Sequence, residues 1–236
     1  MTGPEQLRLP WALHEQLSRA AFVAAPSNAQ ALSLVESWPK WPSPNAAIHG
    51  PAGSGKTHLL TLWAERATAA MVRGSALAPE QVLAAPTPLC LAIDDAHLAS
   101  AREPGARALF HALNRAVQEG GAILLSGELP PAQWPCGLPD LSTRLSALPA
   151  ARIDPPEDEL LAAVLTKLFA DRQLRPPADL IGYVAARMER SLGVARTVVA
   201  MMDEHSLRYG TGLSFEVARR TLEALTTHDD SSAREG

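Results

Sequence analysis

The chain has 236 residues, 47% hydrophobic and 19% charged, with a net charge of −4, enough to bury a core without metal or disulfide staples and too balanced for a largely disordered protein. The acidic balance argues against a surface built mainly to neutralise duplex phosphates. Cys90 and Cys136 fit neither a zinc spacing nor a disulfide framework, and no apolar stretch reaches the roughly 18 residues of a membrane span, so a soluble cytoplasmic protein with no membrane association is expected.

The N-terminal Gln6-Leu-Arg-Leu-Pro10 is chemically an extended peptide, with a glutamine to hydrogen-bond and leucines at alternate positions to fill apolar pockets. Phe22-Val-Ala-Ala-Pro-Ser-Asn28 reads as a loop running into a helix cap at Ser27 or Asn28. Three prolines between Pro39 and Pro44 lead into Asn45-Ala-Ala-Ile-His49, an apolar run stopped by Gly50 as a buried strand should be. A helical pattern follows over Leu59 to Ala67, then a strand near Met71 to Arg73. A second apolar run, Leu89-Cys-Leu-Ala-Ile93, closes on Asp94-Asp95. A helix is expected over Arg107 to Val117, and a third apolar run, Ala122-Ile-Leu-Leu125, ends at Ser126. Strands alternating with helices predict an α/β fold with a mainly parallel sheet covered on both faces.

After Ile153 the pattern is purely helical. Asp154-Pro-Pro-Glu157 has the form of a helix start with a capping box, and Leu160, Leu161, Val164, Leu165, Leu168 and Phe169 make an apolar stripe on a helix running to about Arg172. Further helices are expected over Ala178 to Glu189, Val194 to Arg208 and Phe215 to Leu225. The expected division is a flexible peptide over 1–15, a nucleotide-binding core over 16–153, a small all-α lid over 154–226 and a disordered tail over 227–236.

Gly50-Pro-Ala-Gly-Ser-Gly-Lys-Thr57 matches the P-loop pattern G-x-x-x-x-G-K-[ST] between a strand and a helix. Glycines at 50, 53 and 55 permit close backbone approach, so N–H groups through Ser54 and the following helix start can point at phosphates. Lys56 supplies a charge at the β/γ-phosphates and Thr57 a hydroxyl for Mg2+; His58 adjoins them. Asp94 and Asp95 have the form of a Walker B pair, the first on the metal side and the second able to orient water. Asp95 is one methylene shorter than the glutamate common there, which predicts slow hydrolysis by the chain alone.

With these residues in place, the chain resembles the AAA+ module of the bacterial replication initiator DnaA and, more closely, its stand-alone relatives, the Hda family. The resemblance covers nearly the whole chain. It implies that Phe22 to Asn28 is the linker lying against adenine, with Phe22 and Asn28 as contacts. Ser126 takes the place of the first sensor, although Gly-Glu128-Leu-Pro-Pro departs from the family pattern and leaves open whether Glu128 or Ser126 senses. Asp140-Leu-Ser-Thr-Arg144 resembles box VII, which makes Arg144 the arginine-finger candidate. Gly193-Val-Ala-Arg196 matches the second sensor, and Gln6, Leu7, Leu9 and Pro10 resemble a sliding-clamp-binding peptide.

The segment between Arg73 and Leu89 is too short for the extra helix pair that initiators use to form filaments on DNA, and the sequence stops after the lid with no helix-turn-helix domain, so no sequence-specific DNA binding is expected. The resemblance implies a nucleotide-bound regulator, holding ADP or ATP with Mg2+, that attaches to the β subunit sliding clamp and stimulates hydrolysis of ATP on DnaA. Self-association is compatible with it. The same residues also fit a self-cycling ATPase such as a helicase loader or remodelling subunit.

Overall fold

The structure, a computed structural model, describes residues 17–209 and 212–232. Gln6, Leu7, Leu9 and Pro10 lie outside the described residues. Two compact units divide between Ile153 and Asp154, with Pro51–Gly55 grouped with the second.

The first unit is a parallel five-stranded sheet in the order β2-β3-β4-β1-β5, where β1 is Asn45–His49, β2 Ala70–Arg73, β3 Cys90–Asp94, β4 Ala122–Gly127 and β5 Ala150–Arg152. Short apolar strands joined by helical crossovers leave both sheet faces to be covered. Helices α1 (Ala29–Ser37) and α2 (Lys56–Ala67) cover one face; α3 (Pro79–Ala84), α4 (His97–Ser100), α5 (Gly105–Glu119) and α6 (Pro139–Ser146) are also in this unit. Strand side chains alternate between two cores as a period of two requires. Ala46, Ile48, Ala92 and Leu124 join Leu59, Leu60 and Trp63 of α2. Ala47, Leu91, Ile93, Ile123 and Leu125 join Leu109 and Leu113 of α5 and Leu141 and Leu145 of α6. Every residue of the central strand β4 is buried.

Strand β5 is absent from the sequence expectations. It is three residues long with two exposed, and its existence rests on parallel pairing with β1, extended by the Ile153 N–H donating to the His49 carbonyl at 2.7 Å. Between β2 and β3 the structure holds a single turn of 3-10 helix and the six-residue α3.

The second unit packs α7 (Asp158–Asp171), α8 (Leu180–Ala185), α9 (Leu192–Tyr209) and α10 (Phe215–Ser232) around Leu161, Leu165, Phe169, Val184, Val198, Val199, Met202 and Val217. Helix α7 begins four residues beyond Asp154, with Glu157 at its N-cap position. Each proline disfavours helical geometry in the residue before it, so Pro155-Pro156 holds the chain extended until both are passed. The helix expected over Ala178 to Glu189 shortens to α8, preceded by Asp179 at φ 65°. Helix α10 runs to Ser232, past the expected end at Leu225 and into the stretch expected to be a disordered tail.

Candidate functional site

The C-terminal ends of β1, β3 and β4 lie side by side, the crevice where open parallel sheets bind ligands. Register places His49 beside Gly127, and the Gly50 N–H donates to the Gly127 carbonyl at 3.2 Å. Gly50 must be glycine because an added Cβ would lie 2.3 Å from the Ile153 carbonyl oxygen. The loop then turns through Gly53 and Gly55 at φ 68° and 101°, backbone that L side chains rarely adopt, and delivers Lys56 as the first residue of α2. Within the second unit, the Gly53 carbonyl accepts from the Leu192 N–H at 2.9 Å, and Ser191 occupies the space a Cβ at Gly53 would need. Ser54 is buried, and its hydroxyl has no partner among the described residues.

Lys56 is buried, its ammonium donating to the Gly50 carbonyl at 2.8 Å. Burial pushes this ammonium below its ordinary range, opposed by the charges of Asp95, Glu128 and Asp94. Glu128 therefore acts on Lys56 through space.

Asp94, at the end of β3, is 6% exposed and both its oxygens are engaged. Thr57 Oγ1 donates to Oδ2 at 2.8 Å and Ser126 Oγ donates to Oδ1 at 2.5 Å. Ser126 also accepts the Asp95 N–H at 2.9 Å, and its carbonyl accepts the Ala96 N–H at 2.8 Å. One buried serine thus fixes the carboxylate and the turn behind it. Asp95 sits in the left-handed region at φ 52°, where aspartate is tolerated far better than most residues. This conformation gives a local reason for the shorter acid. Thr57 and Asp94 bring two hard oxygens together, one on a buried carboxylate, which suits Mg2+ once phosphate oxygens and water complete its shell.

His58 is also buried, and it faces the segment before α1. Its Nε2 lies 2.9 Å from the Ser18 carbonyl, which can only accept, so that nitrogen carries the proton. Phe22 meets the imidazole edge-on at 5.1 Å. Asn28 uses both ends of its amide on the same segment, accepting from the Ala25 N–H at 3.0 Å and donating to the Val23 carbonyl at 2.9 Å.

Arg144 lies on α6, exposed, its guanidinium 5.4 Å from the centre of the Phe110 ring. Among the described residues it has no carboxylate partner. Arg196 is the fifth residue of α9 and is exposed.

Sequence reasoning missed Trp134 and the Arg115 network. Trp134 packs over Gly127, where a Cβ would come within 2.6 Å of its ring, and donates to the Leu129 carbonyl at 2.7 Å, so it holds the chain that leaves β4 through Glu128. No pattern around Trp134 announces this. Arg115 and Glu119 are legible as an i,i+4 pair, but their further contacts are tertiary.

No family model matches the chain. The chromosomal replication initiator DnaA of Caulobacter vibrioides strain NA1000 / CB15N is 27% identical over a 246-residue alignment that covers 90% of this chain and 48% of the relative. Domain III of Thermotoga maritima DnaA superposes with a TM-score of 0.75 at 19% identity, over 89% of this chain and 96% of that one. The chain is related to DnaA and has a DnaA-like AAA+ fold. DnaA of Aquifex aeolicus bound to AMPPCP matches less closely, with a TM-score of 0.64 at 17% identity over 82% of this chain and 67% of that one. The chain spans about half the length of the curated DnaA relatives it matches. Among the described residues no helix of this DnaA-like chain is long and apolar enough to cross a membrane.

Proposed function

We propose that the chain is a nucleotide-bound regulator of replication initiation that presents Arg144 to ATP held by DnaA and so promotes its hydrolysis, attached to the sliding clamp through Gln6, Leu7, Leu9 and Pro10. The bound nucleotide is ADP or ATP. Backbone N–H groups of the P-loop and Lys56 hold its phosphates, and Thr57 and Asp94 hold Mg2+, which supplies charge neutralisation on the phosphate oxygens. Ser126 keeps Asp94 oriented, and Arg196 is the same-chain phosphate contact. Support for nucleotide binding comes from the P-loop geometry and from the AMPPCP bound by the Aquifex relative.

The observation that carries the regulatory reading is the state of Arg144, exposed on the face of Phe110 and without a carboxylate partner among the described residues. Resting on an aromatic ring leaves its full charge and donors available to an anion, at a cation–π cost of only about 0.5–1 kcal/mol at an exposed site. The test is ATP hydrolysis on DnaA with purified chain and DNA-loaded clamp. Acceleration lost in Arg144→Ala supports the reading; no acceleration by the intact chain ends it.

The second reading is a self-cycling ATPase, in which Asp95, the residue after Asp94 on a turn fixed by Ser126, orients the attacking water despite its shorter side chain. Steady-state hydrolysis by the isolated chain, abolished by Lys56→Ala, would identify it.

A further inference from the structure

Helix α2 begins with three residues facing two ways. Lys56 and Thr57 face the phosphate loop and Asp94, while His58 faces the opposite side, toward the segment 18–22. Among the described residues its other anchors are the packing of half-buried Phe22 against the core beneath α1 and α2 and two weak surface features. Its turn of 3-10 helix, Arg19–Ala21, buries no residue, and its ion pair from Arg19 to Glu36 is half exposed on both sides, worth well under about 1 kcal/mol. Among the described residues the imidazole, bonded to the Ser18 carbonyl and edge-on to Phe22, ties the segment to α2. A segment held at so few points opens locally at low cost.

We infer that His58 is a positioning residue that couples occupancy of the P-loop to closure of the segment Ser18 to Asn28, an inference that rests on the nucleotide-binding reading above. A phosphate ligand seated on the N–H groups at the start of α2 restrains the first helical turn, and His58 is part of that turn. Its ring then offers Ser18 and Phe22 a fixed surface, and Asn28 carries the order on through Val23 and Ala25. Coupling of this kind is reciprocal: if nucleotide favours the closed segment, the closed segment tightens nucleotide binding by the same factor.

Amide hydrogen exchange of the full chain, with and without Mg-ADP, reads both ends of the coupling. In the wild type, ADP is expected to slow exchange over 50–57 and over 18–28. In His58→Ala the protection over 50–57 remains, that over 18–28 is lost, and the ADP dissociation constant rises roughly fivefold, the equivalent of one hydrogen bond. His58→Gln retains an N–H donor and restores part of the segment's protection, an effect that mere loosening of α2 would not produce. His58→Phe, which keeps an aromatic ring and removes the donor to the Ser18 carbonyl, serves if His58→Ala does not fold, and it should keep protection over 50–57 while losing protection over 18–28. Protection over 50–57 in the wild type with none over 18–28, or unchanged segment protection in the variants, overturns the coupling. No protection anywhere in the wild type overturns the nucleotide-binding reading and the coupling with it.

Discussion

Ser126 Oγ lies 2.5 Å from Asp94 Oδ1 and also accepts the Asp95 N–H at 2.9 Å, so a fully buried hydroxyl links the central strand to both acids at the end of β3. Ser126→Ala leaves a buried carboxylate short of a donor and a backbone N–H short of its acceptor. The unsatisfied groups should cost about 1–3 kcal/mol, a fall of several degrees in melting temperature for a chain of this size. Mg-ADP affinity should fall as well, because Thr57 alone then holds Asp94. Denaturant unfolding and ADP titration check this; a variant within about 0.5 kcal/mol of wild type would show that water replaces the hydroxyl at little cost.

Lys56 should be a stability liability before nucleotide arrives. Burial lowers its ammonium from the ordinary 10.5, despite the opposing charges of Asp95, Glu128 and Asp94. Between the folded-state value and that of the unfolded chain, the unfolded chain binds more protons, so stability rises with pH through that window. Below the window the penalty is present in full. Lys56→Met keeps the apolar stem and removes the charge, so its nucleotide-free melting temperature at neutral pH should equal or exceed that of wild type, while stabilisation by Mg-ADP disappears. A clear drop in the nucleotide-free melting temperature would show that the bond to the Gly50 carbonyl outweighs the burial.

The segment between α3 and β3 depends on one guanidinium. Arg115 donates to the carbonyls of Val82 and Ala85, the latter at 2.9 Å, to the Thr87 hydroxyl at 3.1 Å and to Glu119 at 2.6 Å, and Glu119 in turn accepts the Leu89 N–H at 3.1 Å. Both side chains are about four-fifths buried. Arg115→Met should cost roughly 2–4 kcal/mol, since Glu119 is left charged and several carbonyls lose their donor. Arg107→Met, which removes an exposed pair with Glu103 at 2.9 Å, should cost under about 1 kcal/mol. Equal effects of the two substitutions in chemical denaturation would contradict this ranking.

What could be read in advance follows from how local each feature is. The P-loop needs its residue types in one contiguous stretch, so Gly50 to Thr57 was legible, as was Asp94 at the end of an apolar run. Contacts created by strand pairing were less so: Ser126 reaches Asp94 because β4 lies directly beside β3. Strand β5 went unseen because Ala150-Ala-Arg152 has neither length nor β-branched residues, and it is parallel pairing with β1 that extends it. The late start of α7 was in principle readable, since the two prolines that suggested a helix start also delay it. His58, grouped with the nucleotide ligands by its position beside Lys56 and Thr57, faces Ser18 instead, because successive helical residues point about 100° apart.

Arg144 is where fold stability and the proposed activity separate most cleanly. Its side chain is exposed, and its contact with Phe110 at 5.4 Å is worth about 0.5–1 kcal/mol at most. Arg144→Ala should therefore melt within a few degrees of wild type and bind ADP unchanged. If the guanidinium meets the γ-phosphate of ATP on DnaA, its loss should lower stimulated hydrolysis by about 10³ or more, the range seen when an arginine finger is removed from a phosphoryl-transfer site. Arg144→Lys separates charge from geometry. A lysine keeps the charge but not the planar fork of donors, so it should recover only a small part of the rate. Full recovery by lysine would reduce the residue to electrostatic attraction between the two proteins, and the salt dependence of the stimulated rate would then be steep where a finger predicts it shallow.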